Sequence, residues 1–317
     1  MTEPGRRPIT VEDWAQQWYP SRQGLRPATS VRNLSLYVNH IKPAFGHLRL
    51  DDITTPLVQS FINYLIRKPT SKPAKDGSDR TLAPTTVREV YQELDKCLTA
   101  AKQAGHLRSN PCRGIELPSV KRQDMLLLTP EEVQALAEAI GDRYTALIQL
   151  LAYGGLRIGE AAALLPSDVR VRSVTVTKST GEVQGKLLTS APTTEASRRT
   201  VPLPSFVAEQ LAKHVGMYPG EYLFTGRDGG QVRSNVFRAR QFAKARLAIG
   251  RPELRIHDLR HTAISFWIAQ GLDLQRIQRW AGHTTPVFTL GRYGHLFTEE
   301  NGAVLPRHQP EDYRPPK

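Results

Sequence analysis

The sequence predicts a mainly α-helical protein with a small antiparallel β-sheet, built from two domains. Apolar residues recur at helical spacing through the first third of the chain, as at Val31, Leu34 and Val38. Strand-like segments are confined to residues 169–203, near the middle of the chain. A chain of 317 residues is long enough for roughly two domains, each with its own core.

Residues 1–118 are predicted to form a helical domain. Thr10 is a candidate N-cap for a first helix, which carries Trp14 and Trp18 one turn apart on one face. Pro27, Pro56 and Pro84 each suit the start of a later helix, because the missing N–H of proline has no partner there. The further predicted helices are Ala28–Ile41, Leu57–Ile66 and Pro84–Ala104.

A polar linker is predicted at residues 119–127, followed by a second domain over residues 128–302. That domain opens with Thr129 as an N-cap and Pro130 in the first helical turn. The chain is expected to become helical again after the strands, and residues 303–317 form a charged, proline-rich tail. The predicted elements between are a buried helix at Tyr144–Tyr153, a helix at Glu160–Leu165, and strands at Val169–Val176, Lys186–Thr189 and Arg199–Leu203.

The charge of the chain indicates a polyanionic partner. Lys and Arg number 43 against 30 Asp and Glu, which gives a net charge of +13. A positive field of this size attracts nucleic acid above all. The apolar stretches are too short to cross a bilayer and the first residues do not resemble a secretory signal, so we expect a cytoplasmic protein that does not bind membranes.

Candidate catalytic residues are concentrated in the second domain. In the segment HDLRH (257–261), His257 and Arg260 are three residues apart and would project from one face of a helix. Arg157 lies upstream, and His283 and Tyr293 lie downstream. Taken singly, such residues are more often surface hydrogen-bond pairs, caps or half-buried aromatics. Only the combination points to a function.

That combination suits the breakage of a DNA phosphodiester by a side chain. Two guanidinium groups can bind the non-bridging oxygens and stabilise the charge of the transition state. Imidazoles can bind the same phosphate and move a proton, while a tyrosine hydroxyl attacks to form a covalent phosphotyrosine. Glu160 and Asp258 are isolated and adjoin the basic residues that they could orient. We therefore predict no metal ion and no cofactor.

Four segments resemble the signature boxes of the tyrosine recombinases, the phage integrase family. They are GLRIGE (155–160), HDLRH (257–261), WAGHTT (280–285) and LGRYGHL (290–296), in the family's order and with similar spacing. The first domain resembles the family's helical, SAM-like core-binding domain in residues 26–54 and 109–118. The resemblance implies that this domain and a mixed α+β catalytic domain close around duplex DNA.

The resemblance also assigns roles by position. Arg157 and Arg260 correspond to the phosphate clamp and Tyr293 to the nucleophile. His257 corresponds to a histidine that transfers a proton or binds phosphate, and His283 to a second phosphate donor.

The partners implied by the resemblance are a double-stranded DNA attachment site and further copies of the chain. Four protomers would exchange strands through a Holliday junction, with the C-terminal tail docking on a neighbour. A directionality factor is a further candidate partner, and the host nucleoid is the implied location. Many phage integrases carry a small arm-binding domain ahead of the helical domain, which here begins at about Ile9.

The segment TSAPTTEASRRTVPLP (189–204) departs from the family's pattern. Relatives carry a lysine, which protonates the leaving oxygen, where this chain has Thr193. Lys186 is the nearest substitute in sequence, although a solvated strand residue is the simpler interpretation, and Lys178 is further away.

Four basic residues are candidate DNA contacts. Arg198 and Arg199 would alternate faces on an extended strand, so that one could meet the DNA backbone while the other pairs with an acid. Arg238 and Lys244 belong to a predicted basic helix over residues 234–250, which either lies along DNA or is an ordinary solvated face.

We therefore expect a site-specific recombinase that integrates or excises a phage or other mobile element through a 3′-phosphotyrosine. Two alternatives remain at this stage. One is a DNA-binding protein of the same fold whose cleavage is impaired at Thr193. The other is an activity like that of type IB topoisomerases.

Overall fold

Helices make up most of the computed structural model, and small antiparallel sheets supply the strands. The predicted fold class, mainly α with a little antiparallel β, is confirmed. The structure describes residues 9–70, 80–120, 124–191 and 198–294. Contacts divide the chain into two units, Met1–Gln123 and Asp124–Lys317.

The first unit has a helical core. Its helices are α1 Val11–Ser21, α2 Pro27–Leu36, α3 Lys42–Phe45, α4 Thr55–Arg67 and α5 Pro84–Gln103. Thr10 caps α1 as predicted, in a reciprocal capping box with Asp13. The indole N–H of Trp14 donates a hydrogen bond to the carbonyl of Cys97 at 3.0 Å, which fixes α1 against α5.

The second predicted helix exists, but it buries a different face from the one that its apolar residues suggest. Leu34 and Val38 are 46% and 48% exposed, whereas Tyr37 and Ile41 are buried. Tyr37 and Ile41 lie in a π-helical turn that joins α2 to α3, and the Tyr37 ring packs 5.2 Å from that of Tyr19. Asn33 is already buried in the regular helix α2 and lies one position before Leu34, so the apolar residues by themselves select the wrong face.

The second unit is built around two buried helices. Its helices are α6 Pro130–Ile140, α7 Asp142–Gly154, α8 Ile158–Ala162, α9 Ser205–Met217, α10 Ser234–Val236, α11 Ala243–Ala248, α12 Ile256–Ala269, α13 Leu274–Ala281 and α14 Pro286–Tyr293. Helices α7 and α12 are buried along most of their length and pack against each other. A helix enclosed on all sides should be apolar, yet α12 buries Asp258, Arg260 and His261. These buried polar groups require hydrogen-bond partners, and such a cluster indicates that α12 carries part of a functional site.

The strands are short. A three-stranded antiparallel sheet has the order β1 (Val169–Arg170), β2 (Ser173–Val176), β5 (Arg199–Pro202), with Val174 opposite Val201 and Val176 opposite Arg199. A separate hairpin contains β3 (Ser179–Val183) and β4 (Lys186–Ser190). The sequence predicted one strand where β1 and β2 form two, and it did not predict β3, which lacks an apolar alternation.

No helix within the described ranges combines the length and the apolar composition that crossing a membrane requires.

Gly155 fixes the turn between α7 and α8, and its substitution should destabilise the second unit. Its φ is +63°, and a Cβ there would lie 2.7 Å from Cη2 of the buried Trp267. We expect Gly155→Ala to lower the free energy of unfolding by about 1–2 kcal/mol for the left-handed backbone. A further cost of about 1–3 kcal/mol should come from the forced repacking of the indole.

Gly271→Ala is the matched control, because Gly271 has a φ of +73° and no atom within 4 Å of a Cβ. It should show the backbone cost alone in urea unfolding followed by tryptophan fluorescence. Equal losses in the two variants would show that contact with Trp267 does not constrain this turn.

Candidate active site

Arg157 lies at the protein surface, where the buried carboxylate of Glu160 orients its side chain. It precedes α8, and its Nη1 donates to Glu160 Oε1 at 2.8 Å while its backbone N–H donates to Oε2 at 2.8 Å. The Arg157 side chain is 42% exposed, whereas that of Glu160 is only 5% exposed. The guanidinium is therefore held at one end and open to an anion at the other.

Arg260 is held within the protein by backbone carbonyls. Its Nη1 donates to the carbonyl of Gly155 at 2.6 Å, and its Nη2 donates to the carbonyl of Ala281. These bonds connect α12 with the turn before α8 and with the end of α13. Burial and the nearby charge of Arg157 lower the pKa of Arg260 to about 9, so it remains charged at neutral pH. The two guanidinium groups repel each other, and a bound anion would relieve that repulsion.

Arg199 was a candidate DNA contact, but its side chain is buried in the protein interior. Its side chain is 1% exposed, with Nη2 donating to Glu160 Oε2 at 2.8 Å and Nε donating to the carbonyl of Trp280 at 2.6 Å. Arg198, the preceding residue, is exposed. The alternation along β5 therefore turns Arg199 towards an acid and Arg198 outwards.

Glu160 is charged because of these arginines. Burial by itself raises the pKa of a carboxyl group, but the hydrogen bond and charge of Arg199, with the charge of Arg157, lower that of Glu160 to about 2. A buried carboxylate that accepts from two guanidiniums orients both of them.

His283 is positioned by the turn that follows α13. Gly282 has a φ of +65°, and a Cβ on it would lie 3.1 Å from Arg199 Nη1, so the turn packs directly on that guanidinium. His283 Nδ1 shares a hydrogen bond with Thr289 Oγ1 at 2.9 Å. Burial and the charge of Arg260 lower the pKa of His283 to about 3, so its imidazole is neutral.

Tyr293 ends α14 and is buried among these groups. It is 1% exposed, and its hydroxyl lies 2.5 Å from His261 Nδ1. Its ring is stacked on that of His283, with 6.5 Å between centroids and 16° between planes. Burial raises the pKa of Tyr293 to about 12 although Arg260 lowers it, so the hydroxyl keeps its proton at neutral pH.

His257 lies in the first turn of α12, on an open cavity of about 550 Å³. Arg157 and Arg238 line the same cavity. Partial burial and the charges of Arg260 and Arg157 lower the pKa of His257, which favours a neutral ring able to donate one hydrogen bond. Lys244 is exposed on α11 and does not line this cavity.

His261 ends the HDLRH motif and lies in the site, although the sequence predicted no role for it. Burial and the nearby His257 lower its pKa to about 4, and the two imidazoles meet edge to face with 4.7 Å between centroids. The spacing of four residues from His257 would have placed both on one face of α12. That spacing does not reveal the contact with Tyr293.

The two lysines that lie nearest in sequence before Thr193 are both exposed on the β3–β4 hairpin or at its base. Lys186 is exposed at the turn of the β3–β4 hairpin, and Lys178 is exposed at its base, just before β3. Thr193 lies outside the described residues.

Within the described parts of the chain, no group of three or more His, Cys, Asp or Glu side chains is arranged to hold a metal ion.

Comparison with known proteins places both parts of the chain in one family. Residues 127–300 match the model of the phage integrase family, and residues 10–66 match that of the phage integrase N-terminal SAM-like domain. The resemblance predicted from the four motifs is thus confirmed.

Individual relatives agree with the family models. The chain is 29% identical over 292 residues to the integrase of Mycobacterium phage L5, an alignment that covers 88% of this chain and 73% of the relative. Among solved structures, the Tn1549 transposon integrase in complex with a circular intermediate DNA superimposes with a TM-score of 0.78 at 18% identity, covering 92% and 97% of the two chains. A lambda integrase tetramer bound to a Holliday junction superimposes with a TM-score of 0.65 at 18% identity, covering 88% and 78%.

Removal of the buried Arg199 should destabilise the second unit far more than removal of its exposed neighbour. Arg199→Met keeps the length of the side chain but leaves the Glu160 carboxylate without its best-buried partner. Breaking a buried pair in this way costs about 3–5 kcal/mol in the free energy of unfolding. Arg198→Met should change it by at most about 0.5 kcal/mol, and similar losses in denaturant unfolding would refute a structural role for the pair.

Glu160 should also make stability depend on pH in the acid range. Its pKa falls from 4.5 to about 2 on folding, so its stabilising contribution is complete above pH 4.5 and is lost as the pH falls towards 2. The contribution corresponds to about 3 kcal/mol. The difference in unfolding free energy between wild type and Glu160→Gln should shrink by that amount over this range. A difference independent of pH would show that the carboxyl group is not ionised in the folded protein.

Proposed function

Because this chain belongs to the phage integrase family, we propose that it is a site-specific DNA recombinase in which Tyr293 is the nucleophile. Members of this family break and rejoin DNA strands, and phages and other mobile elements use them to integrate and excise. The observation that carries the assignment is the position of the Tyr293 hydroxyl, which lies among Arg260, His261 and His283.

The side chains fit the steps of such a reaction. Arg157 and Arg260 bind the non-bridging oxygens of the scissile phosphate and offset the charge that builds up in the transition state. His257 and His283, both with lowered pKa values, are neutral donors that can hydrogen-bond the oxygens of the same phosphate. The hydroxyl of Tyr293 attacks phosphorus and forms a 3′-phosphotyrosine, while the 5′-oxygen leaves. The reverse attack by a 5′-hydroxyl rejoins DNA without an external energy source.

Because Tyr293 is buried, DNA binding must open the enclosure around its hydroxyl. At 1% exposure its hydroxyl is closed to solvent and to a phosphate outside the enclosure. Helix α14 packs mainly on α13, and these are the elements whose movement would present the hydroxyl. We propose that the described conformation is the resting state and that DNA opens the enclosure around the hydroxyl while its contact with His261 is kept.

Double-stranded DNA is the proposed partner, and three exposed cations are proposed backbone contacts. Arg238 is the strongest of them because it lines the cavity that Arg157 and His257 also line. Arg198 and Lys244 are exposed. Contacts of this kind position a protein on DNA without reading its sequence.

We further propose that the active assembly is a homotetramer on two attachment sites. The supporting observation is the superposition on lambda integrase, which was solved as a tetramer on a Holliday junction. A directionality factor that biases integration against excision, and residence at the nucleoid of a bacterial host, belong to the same proposal.

The substitution Tyr293→Phe should abolish covalent attachment to DNA and leave DNA binding intact. The assay uses nicked suicide duplexes with a randomised core, from which the wild-type protein captures its own substrate as a denaturation-resistant complex. Loss of the hydroxyl removes the nucleophile but little of the packing, because the ring remains. Binding is measured by mobility shift on the captured sequence.

Tyr153→Phe is the matched control, since Tyr153 is also buried in the second unit and lies on α7. Its adduct yield should equal that of the wild type. Adduct formation by Tyr293→Phe would refute the assignment. Binding by wild type without any adduct would indicate the binding-only alternative, and relaxation of plasmids regardless of sequence would indicate a topoisomerase.

A further inference from the structure

The hydrogen-bond partner of the nucleophile is a histidine that the five assigned residues do not include. His261 Nδ1 lies 2.5 Å from the Tyr293 hydroxyl, and both residues are enclosed, at 4% and 1% exposure. A hydrogen bond between two buried groups fixes the hydroxyl and connects it to a basic nitrogen.

The protonation states define the direction of that bond. The pKa of Tyr293 is raised to about 12, so the hydroxyl carries its proton. The pKa of His261 is lowered to about 4, so the imidazole is neutral and accepts the bond through Nδ1. The tyrosine hydroxyl is therefore the donor, and the neutral imidazole can accept a proton.

The other histidines are less well placed for that proton. His283 shares its Nδ1 with Thr289, and its ring lies parallel to the tyrosine ring at 6.5 Å. His257 meets the edge or face of His261 rather than the hydroxyl, and it lines the outer cavity.

We propose that His261 is the general base that takes the proton of Tyr293 during strand cleavage. This inference rests on the proposed nucleophile. As the Oη–P bond forms, the proton passes from Oη to His261 Nδ1. The P–O5′ bond breaks, and the 5′-oxygen takes a proton from solvent to leave as a hydroxyl. In rejoining, the 5′-hydroxyl loses a proton to solvent and His261 returns its proton to the departing tyrosine oxygen.

The charge of DNA makes His261 a better base at the moment when one is needed. Burial depresses its basicity most, followed by the charges of its neighbours, which include His257, Arg292 and Arg260. A phosphate bound by Arg157 and Arg260 brings a negative charge into this cluster, and an opposite charge favours the protonated imidazole. The resting enzyme therefore keeps the base neutral, and substrate binding raises its affinity for a proton.

The test is chemical rescue of His261→Ala on the nicked duplex that the wild-type protein selects. We expect single-turnover adduct formation to fall by about 100-fold or more, the usual contribution of a general base. Added imidazole should restore part of the rate. Pyrazole has the same shape but is a far weaker base, and it should restore none.

Two further variants keep the outcome interpretable. His261→Asn offers an acceptor near the position of Nδ1 that cannot be protonated, so it should bind DNA and remain slow. His214→Asn changes a buried histidine on α9 that hydrogen-bonds Leu223, and it should react at the wild-type rate.

The outcomes separate the two proposals. Failure of the wild-type protein to form any adduct would reject Tyr293 as the nucleophile. With an active wild type, rescue by imidazole alone together with a slow Asn variant supports His261 as the base. A wild-type rate in either His261 variant, equal rescue by both azoles, or rescue by neither would overturn it.

Discussion

The arrangement of the site depends on one buried carboxylate. Glu160 accepts hydrogen bonds from Arg199 on one side and from Arg157 on the other, and it is itself almost fully enclosed. Removing a carboxylate from water is costly unless both of its oxygens are satisfied, and here each oxygen is satisfied by a cation or a backbone N–H. Because Arg199 also binds the carbonyl of Trp280, the same pair fixes β5, α8 and the end of α13 relative to each other.

The arginines around Glu160 carry more positive charge than this one carboxylate neutralises. Arg199 is matched by Glu160, whereas Arg260 donates to two backbone carbonyls and Arg157 is half open to solvent. The lowered pKa values of His257 and His283 are a consequence of burial and of these unbalanced cations. A phosphate diester supplies the missing negative charge and presents the geometry that two guanidiniums bind best.

The Tyr293 hydroxyl lies close to this charge but keeps its proton. Tyr293 is buried, protonated and hydrogen-bonded to His261, so a chain that meets DNA at random holds no reactive phenolate. Its helix, α14, is short and contacts mainly α13. Burial of the tyrosine and the lowered pKa of the histidine are thus two effects of the same enclosure.

The sequence by itself determined the fold class and several helix starts, and it predicted the candidate residues of the site. The capping box of Thr129 and the motifs around Arg157, His257 and Tyr293 are local patterns whose meaning does not depend on distant residues. The role of Thr193 stays a prediction, since that residue lies outside the described part of the chain. Only the tertiary structure decided that Arg199 faces inwards, that Leu34 is exposed and that His261 contacts Tyr293. The partners of Arg199 are 39 and 81 residues away and that of His261 is 32 residues away. Periodicity along one helix or strand shows that residues share a face, but what covers that face is fixed by packing between elements.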